Sequence, residues 1–229
     1  MIRHKRFFIA CAAVFGGYVS AQGSPILLGS YGTTSTNPGV VNSSVIYDPV
    51  DSTVNSGSTS TFNISSGTVW HAALPNSSYV SFNASTGPTS NLVVPNGDYI
   101  YTTNFTLAAA DAADVATLSL LADDTVSVFL NNTLIQQAAG PLGPANAYSM
   151  CSNTGPNCIT PLTVNLTGLQ AGLNTLTFDV KQVNGVSEGL DFSGSIDTPS
   201  AVPEPASLAL FGTGLFGLVG LTRRYLAAK

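Results

Sequence analysis

Few side chains in this 229-residue chain could move a proton, attack a bond or hold an ion. Between Gln22 and Val202 stand one histidine (His71), one lysine (Lys181), ten aspartates, one glutamate (Glu188) and no arginine. Gly185-Val186-Ser187-Glu188-Gly189 fits the G-x-S-x-G pattern of a nucleophile elbow, but such an elbow joins a strand to a helix. Here a strand-like run follows it, and His71, the one candidate base, precedes the serine, reversing the order of that fold. A turn rich in small residues is the simpler reading. Asp123, Asp124, Asp179, Glu188 and Asp191 include acids that could act as the carboxylate pair of a glycoside hydrolase, roughly 5 to 10 Å apart, a spacing that sequence does not distinguish from solvated loop acids. Asp123-Asp124 also suits calcium, which takes carboxylate and carbonyl oxygens. No D-x-D-x-D-G loop accompanies the pair, and an acidic turn accounts for it equally. No other cofactor is expected. Trp70 and Tyr79, with His71 and Phe82 nearby, could stack on the apolar face of a sugar ring, although a lone tryptophan in a small domain more often packs inside.

The elements that would position these groups read as short β-strands. Gly, Ser, Thr and Asn dominate, and apolar residues alternate with polar ones. The pattern predicts strands over Asp98 to Leu107, Val115 to Leu121, Thr125 to Leu130, Thr133 to Gln136, Leu162 to Leu166, Asn174 to Lys181 and Leu190 to Ile196. Shorter candidates are Val45 to Tyr47, Thr68 to His71 and Tyr79 to Phe82. Asn96-Gly97 marks a turn, and Asn131-Asn132 tightens a hairpin because asparagine tolerates positive φ. Helix is scarce: Ala108 to Ala113 has room for a turn or two. Nine or ten strands with regular turns predict an all-β fold, one antiparallel β-sandwich over residues 22–201 with its core at about 42–197. The first twenty or so residues of the mature body are expected to be mobile, and whether 22–91 pack fully into the sandwich stays open.

Charge is confined to the ends. Arg3, Lys5 and Arg6 lie at one and Arg223, Arg224 and Lys229 at the other, whereas the middle carries eleven acids against Lys181, a net of about −10. That body repels phosphate backbones, which excludes nucleic acid as a partner. The basic start, the apolar run Phe7 to Val19 and the small residues Val19-Ser20-Ala21 read as a secretory signal over 1–21, cut by signal peptidase between Ala21 and Gln22. Cys11 does not make a lipobox, because only four apolar residues precede it and Phe8 stands where an aliphatic residue is needed. In an exported chain Cys151 and Cys158, the two cysteines left after cleavage, are expected to form one disulfide around a small loop. Seven Asn-x-Ser/Thr sequons, at Asn42, Asn63, Asn76, Asn83, Asn104, Asn131 and Asn165, follow largely from composition.

Residues 202–229 combine Pro203-Glu204-Pro205, which cannot join a helix, an apolar, glycine-containing run read as one transmembrane helix over 206–222, by length a marginal span at about 24 Å against a core of about 30 Å, and Arg223-Arg224 as stop-transfer charges. This order, ending the chain, resembles the PEP-CTERM sorting signal of exopolysaccharide-producing bacteria. The resemblance implies recognition by exosortase, a membrane cysteine peptidase, and release or transfer of the protein during export. The body from Gly97 to Gly194 is similar to the sandwich ectodomains of such proteins and, through them, to galactose-binding and carbohydrate-binding jelly rolls. That similarity rests on Tyr99-Ile100-Tyr101, on Ala122-Asp123-Asp124 leading into Val126 to Asn132, and on Ala171 to Leu176 continuing into Phe178-Asp179-Val180. The expectation is an exported, non-enzymatic surface or matrix protein, membrane-anchored as a precursor and associated with extracellular polysaccharide. A carbohydrate-binding module and a cryptic glycoside hydrolase are the alternatives.

Overall fold

An alternating strand buries every second side chain when one face of its sheet is covered, and here a second sheet supplies that cover. The computed structural model describes residues 24–30, 37–109, 116–138, 161–183 and 185–197, together with Phe211 and Gly214. Twelve strands follow in order: β1 Ile26–Gly29, β2 Val41–Asn42, β3 Ile46–Asp48, β4 Thr61–Asn63, β5 Val80–Ser81, β6 Gly97–Leu107, β7 Ala116–Asp123, β8 Thr125–Leu130, β9 Thr133–Gln136, β10 Leu162–Leu166, β11 Gly172–Gln182 and β12 Gly189–Ile196. They belong to one compact unit, Gly23–Pro199. Of the second unit, residues 1–22 and 200–229, only Phe211 and Gly214 are described, both helical.

All the strand pairs are antiparallel. One sheet runs β10-β7-β12-β5-β4-β2, and the other runs β3-β6-β11-β8-β9. The free side of β12 is shared: β5 meets it at Leu190, and β1 pairs with it from Ile26↔Ile196 to Gly29↔Ser193. Between the sheets lie Tyr99 and Tyr101 of β6, Leu176, Phe178 and Val180 of β11, Val126 and Val128 of β8, Leu118 and Leu120 of β7, and Leu190 and Phe192 of β12, all buried. Phe178 stacks on Phe192 across the layers at 4.6 Å between ring centroids, and Phe82 stacks on Tyr47 and Tyr99 at 5.3 Å. Such pairs add about 0.5 to 1.5 kcal/mol beyond their burial.

The all-β sandwich expected from the alternation is therefore present, and the strand bounds differ from expectation mainly before residue 97. β1, β2 and β4 carry no sequence signal of their own, because strands of two to four residues with partners far along the chain are too short to show a period. The pairing of β1 with β12 places Ile26–Gly29 in a sheet, in contrast to the mobile lead-in expected for that stretch. Thr68 to His71 is not a strand. It belongs to a segment that crosses the outer face of the larger sheet, where Ile64, Trp70, Leu74 and Tyr79 pack on Leu121 as a second small core. This cover explains why Leu120 to Asp123 are all buried although they point alternately to two faces. Ala108 and Ala109 are not helical, and the rest of Ala108 to Ala113 lies outside the described residues.

Candidate functional site

At one corner of the sandwich the chain leaves β7 at Asp123 and enters β8 after Asp124, so the acidic pair marks the crossing between sheets. Both side chains are buried. Asp124 Oδ2 accepts the Val183 N–H at 2.7 Å, and Asp123 Oδ2 accepts the Ser187 hydroxyl at 3.2 Å. Gln182 follows Lys181, whose carbonyl accepts the Asp124 N–H at 2.9 Å, so it lies at the same end of β11 as the acidic pair. No other described residue hydrogen-bonds Oδ1 of Asp123, Oδ1 of Asp124 or Oε1 of Gln182, all buried, and the two carboxyls share a hydrogen bond when Asp123 carries its proton. Burial, then the neighbouring Asp124 charge, pushes the Asp123 carboxyl well above its ordinary range, and burial raises Asp124 to about 6. An all-oxygen corner is chemically suited to a hard cation. Among the described residues no three His, Cys, Asp or Glu side chains converge as a metal group, so a cation here would also need Gln182 or backbone carbonyls.

The other carboxylates are structural. Glu188 is fully buried and ties the sheets together: Tyr101 of β6 donates to both its oxygens at 2.9 Å, and Ser81 of β5 donates to Oε2. Burial raises its carboxyl to about 8. Asp191 accepts from Ser30 Oγ at 3.0 Å and from the Leu74 N–H at 2.8 Å, pinning both β1 and the outer segment to β12. Asp179 lies beside Lys181, which also pairs with Asp98. Ser187 of the G-x-S-x-G run gives its hydroxyl to Asp123, not to an imidazole, and the strand β12 follows it. His71 is exposed, its Nδ1 against the Ala72 carbonyl.

Trp70 and Tyr79, read from sequence as a sugar platform, stand differently. Trp70 is 5% exposed and Tyr79 1%, with ring centroids 5.0 Å apart. The indole rests on Gly189, where an added Cβ would come within 3.0 Å of its ring. Neither ring offers a free face, because the larger sheet has an apolar outer patch around Leu121 that the indole covers. Two sequon asparagines are likewise internal: Asn42 donates to Asn63 Oδ1 and to the Ser30 carbonyl, both at 2.7 Å, and both asparagines are buried.

A concave surface lies elsewhere, around β1. A cleft of about 620 Å³ opens between β1 and the β3–β6 side, with Ile46, Thr103, Asn104 and Phe105 in its walls. A second, of about 320 Å³, lies on the outer face of β7 and β12 beside Leu74 and Pro75. Leu27 and Asn76 line both. Among the described residues neither cleft is lined by an ionisable side chain. Sequence reasoning missed this surface because its residues are neutral, individually ordinary and drawn from segments far apart in the chain. Asn76 at φ 56° and the glycines at positions 29 and 194 are local marks of a close approach there.

Ala21, Gln22, Cys151, Cys158, Pro203, Glu204, Pro205, Arg223 and Arg224 lie outside the described residues, as does the run 206–222 apart from Phe211 and Gly214. Among the described residues no helix is long and apolar enough to cross a membrane.

The described fold is thus an antiparallel β-sandwich. Residues 201–224 of the same chain match the PEP-CTERM protein-sorting motif. No curated protein matches the chain. Among solved structures it is similar to a family 35 carbohydrate binding module from Clostridium thermocellum, at 12% identity and a TM-score of 0.31, covering 77% of this chain and 100% of that one. A family 35 module from an environmental isolate gives 17% identity and a TM-score of 0.27, covering 62% of this chain and 98% of that one. At these scores the likeness adds nothing to the strand order above.

Proposed function

We propose that this chain is an exported, non-enzymatic surface or matrix protein, delivered with a C-terminal anchor and processed near Pro203-Glu204-Pro205 by an exosortase-type peptidase. The observation that carries the reading is the PEP-CTERM motif at residues 201–224, beginning five positions after the last described strand ends at Ile196. The secretion machinery and signal peptidase act first, at Ala21-Gln22. The 206–222 run then holds the precursor in the membrane, and the acidic body joins the extracellular polysaccharide. The intact mass of protein recovered from the cell surface or medium tests this. A form running from Gln22 to the region of Val202 to Pro205, lost when Pro203, Glu204 and Pro205 are all changed to alanine, is the expected result. A form ending at Lys229 in both proteins overturns it.

The buried carboxyl oxygens of Asp123 and Asp124, close enough to share a proton, favour a second, compatible reading, in which calcium replaces that proton and braces the β7–β8 corner. A cation bound only by the folded state at 100 times its Kd adds about 2.7 kcal/mol. Calcium is therefore expected to raise the melting temperature over that in chelator, and Asp124→Asn to abolish the increment. Equal melting temperatures in calcium and chelator sink the idea.

A further inference from the structure

We propose that the two clefts joined at Leu27 and Asn76 form one binding groove for an uncharged polysaccharide chain, an assignment that rests on the polysaccharide association proposed above. The clefts share a wall, and their volumes, about 620 and 320 Å³, fall in the range of small-ligand sites, yet both are open. That shape suits an extended ligand lying across β1 better than a compact one sealed in a cavity.

The lining decides the chemistry. Leu27 is 61% exposed, and with Ile46 and Phe105 it offers apolar surface to the C–H faces of sugar rings. Thr103 and Asn104 supply the polar partners, and both are held in place. Thr103 Oγ1 donates to the Ser44 carbonyl at 2.7 Å, and Asn104 Oδ1 accepts the Thr175 hydroxyl at 2.7 Å. A fixed hydroxyl that has spent its proton still accepts, which is what a ligand rich in O–H donors requires. Among the described residues no ionisable group lines the groove to balance a charged ligand, and the acidic body disfavours anionic polymers. An extended peptide pairing with the open edge of β1 is disfavoured. The strand offers an edge of only four residues, too short for a stable added ladder.

The test uses the full chain in detergent, titrated calorimetrically with hexasaccharides of neutral glucan, mannan and galactan, and with alginate and polygalacturonate oligomers. The variants are Leu27→Trp, which fills the seam, Asn104→Asp, which keeps the shape but adds a charge, and Leu134→Trp, which alters an exposed residue of β9 away from the groove. Binding of a neutral hexasaccharide, weakened at least tenfold by Leu27→Trp and by Asn104→Asp, unchanged by Leu134→Trp and with all melting temperatures alike, is expected. Neutral binding indifferent to the first two variants overturns the groove. Binding of the acidic oligomers alone overturns the ligand class. No binding overturns the proposal as well, and sedimentation of the exported protein with the cell's own polysaccharide then separates the readings: co-sedimentation leaves the association standing, and its loss removes that too. Competition by a strand-forming peptide in place of the sugars reassigns the groove to peptide and overturns the proposal.

Discussion

Glu188 shows how much a single residue sets here. A carboxyl without water is held mainly in its protonated form, so folding raises its pKa from 4.5 to about 8. The folded state then binds the proton more tightly than the unfolded chain. Its stabilisation is complete below pH 4.5 and is lost as the pH rises towards about 8, by up to about 1.4 kcal/mol per pH unit. Asp124, raised to about 6, acts in the same sense over a lower window. The melting temperature should therefore fall between pH 6 and 8, and Glu188→Gln, which keeps the shape and the contacts to Tyr101 and Ser81, should flatten that fall. A variant with the wild-type slope would show that Glu188 does not titrate there. None of this could be read from the sequence, where Glu188 sits in a Ser-Glu-Gly turn that looks solvated. Trp70 misleads in the opposite way, since a lone aromatic carries no sign of which side of a sheet it covers.

Elements with local signals were legible, and those built from distant partners were not. Asn131 and Asn132 have φ of 50° and 64°, the double positive φ of a two-residue hairpin turn, and they join β8 to β9 as the sequence predicts. The two asparagines are not equivalent. Asn131 Oδ1 accepts the Thr175 N–H at 2.9 Å, and its Nδ2 reaches Asn174 Oδ1 at 3.0 Å, so its side chain also ties the turn to β11. Asn132→Gly is expected to leave stability within about 0.5 kcal/mol, because glycine takes positive φ freely. Asn131→Gly should cost on the order of 1 to 2 kcal/mol for the lost bonds. Urea unfolding of the two variants checks this, and equal stabilities would leave Asn131 with a backbone role only. The groove was illegible for the same reason as β1: its parts acquire meaning only from pairing with β12 and from the loop at Asn76.

For the whole molecule, composition and charge placement carry the class of protein, while the fold supplies the surface on which a ligand could act. Ten of the eleven acids of the body are aspartates, yet four of the carboxylates, Asp123, Asp124, Glu188 and Asp191, are internal. The outward charge is thus smaller than a residue count suggests, and the surface around β1 is neutral. For the export proposed above, the pairing of Ile26 with Ile196 bears on the order of events. The first described strand waits on the last described one, across almost the whole length of the domain, and contacts so far apart in sequence form late. A chain crossing the membrane from its N-terminus cannot close this clasp until β12 has emerged. At that moment the sorting motif is the next segment to arrive, so completion of the fold and presentation of the motif fall together in time.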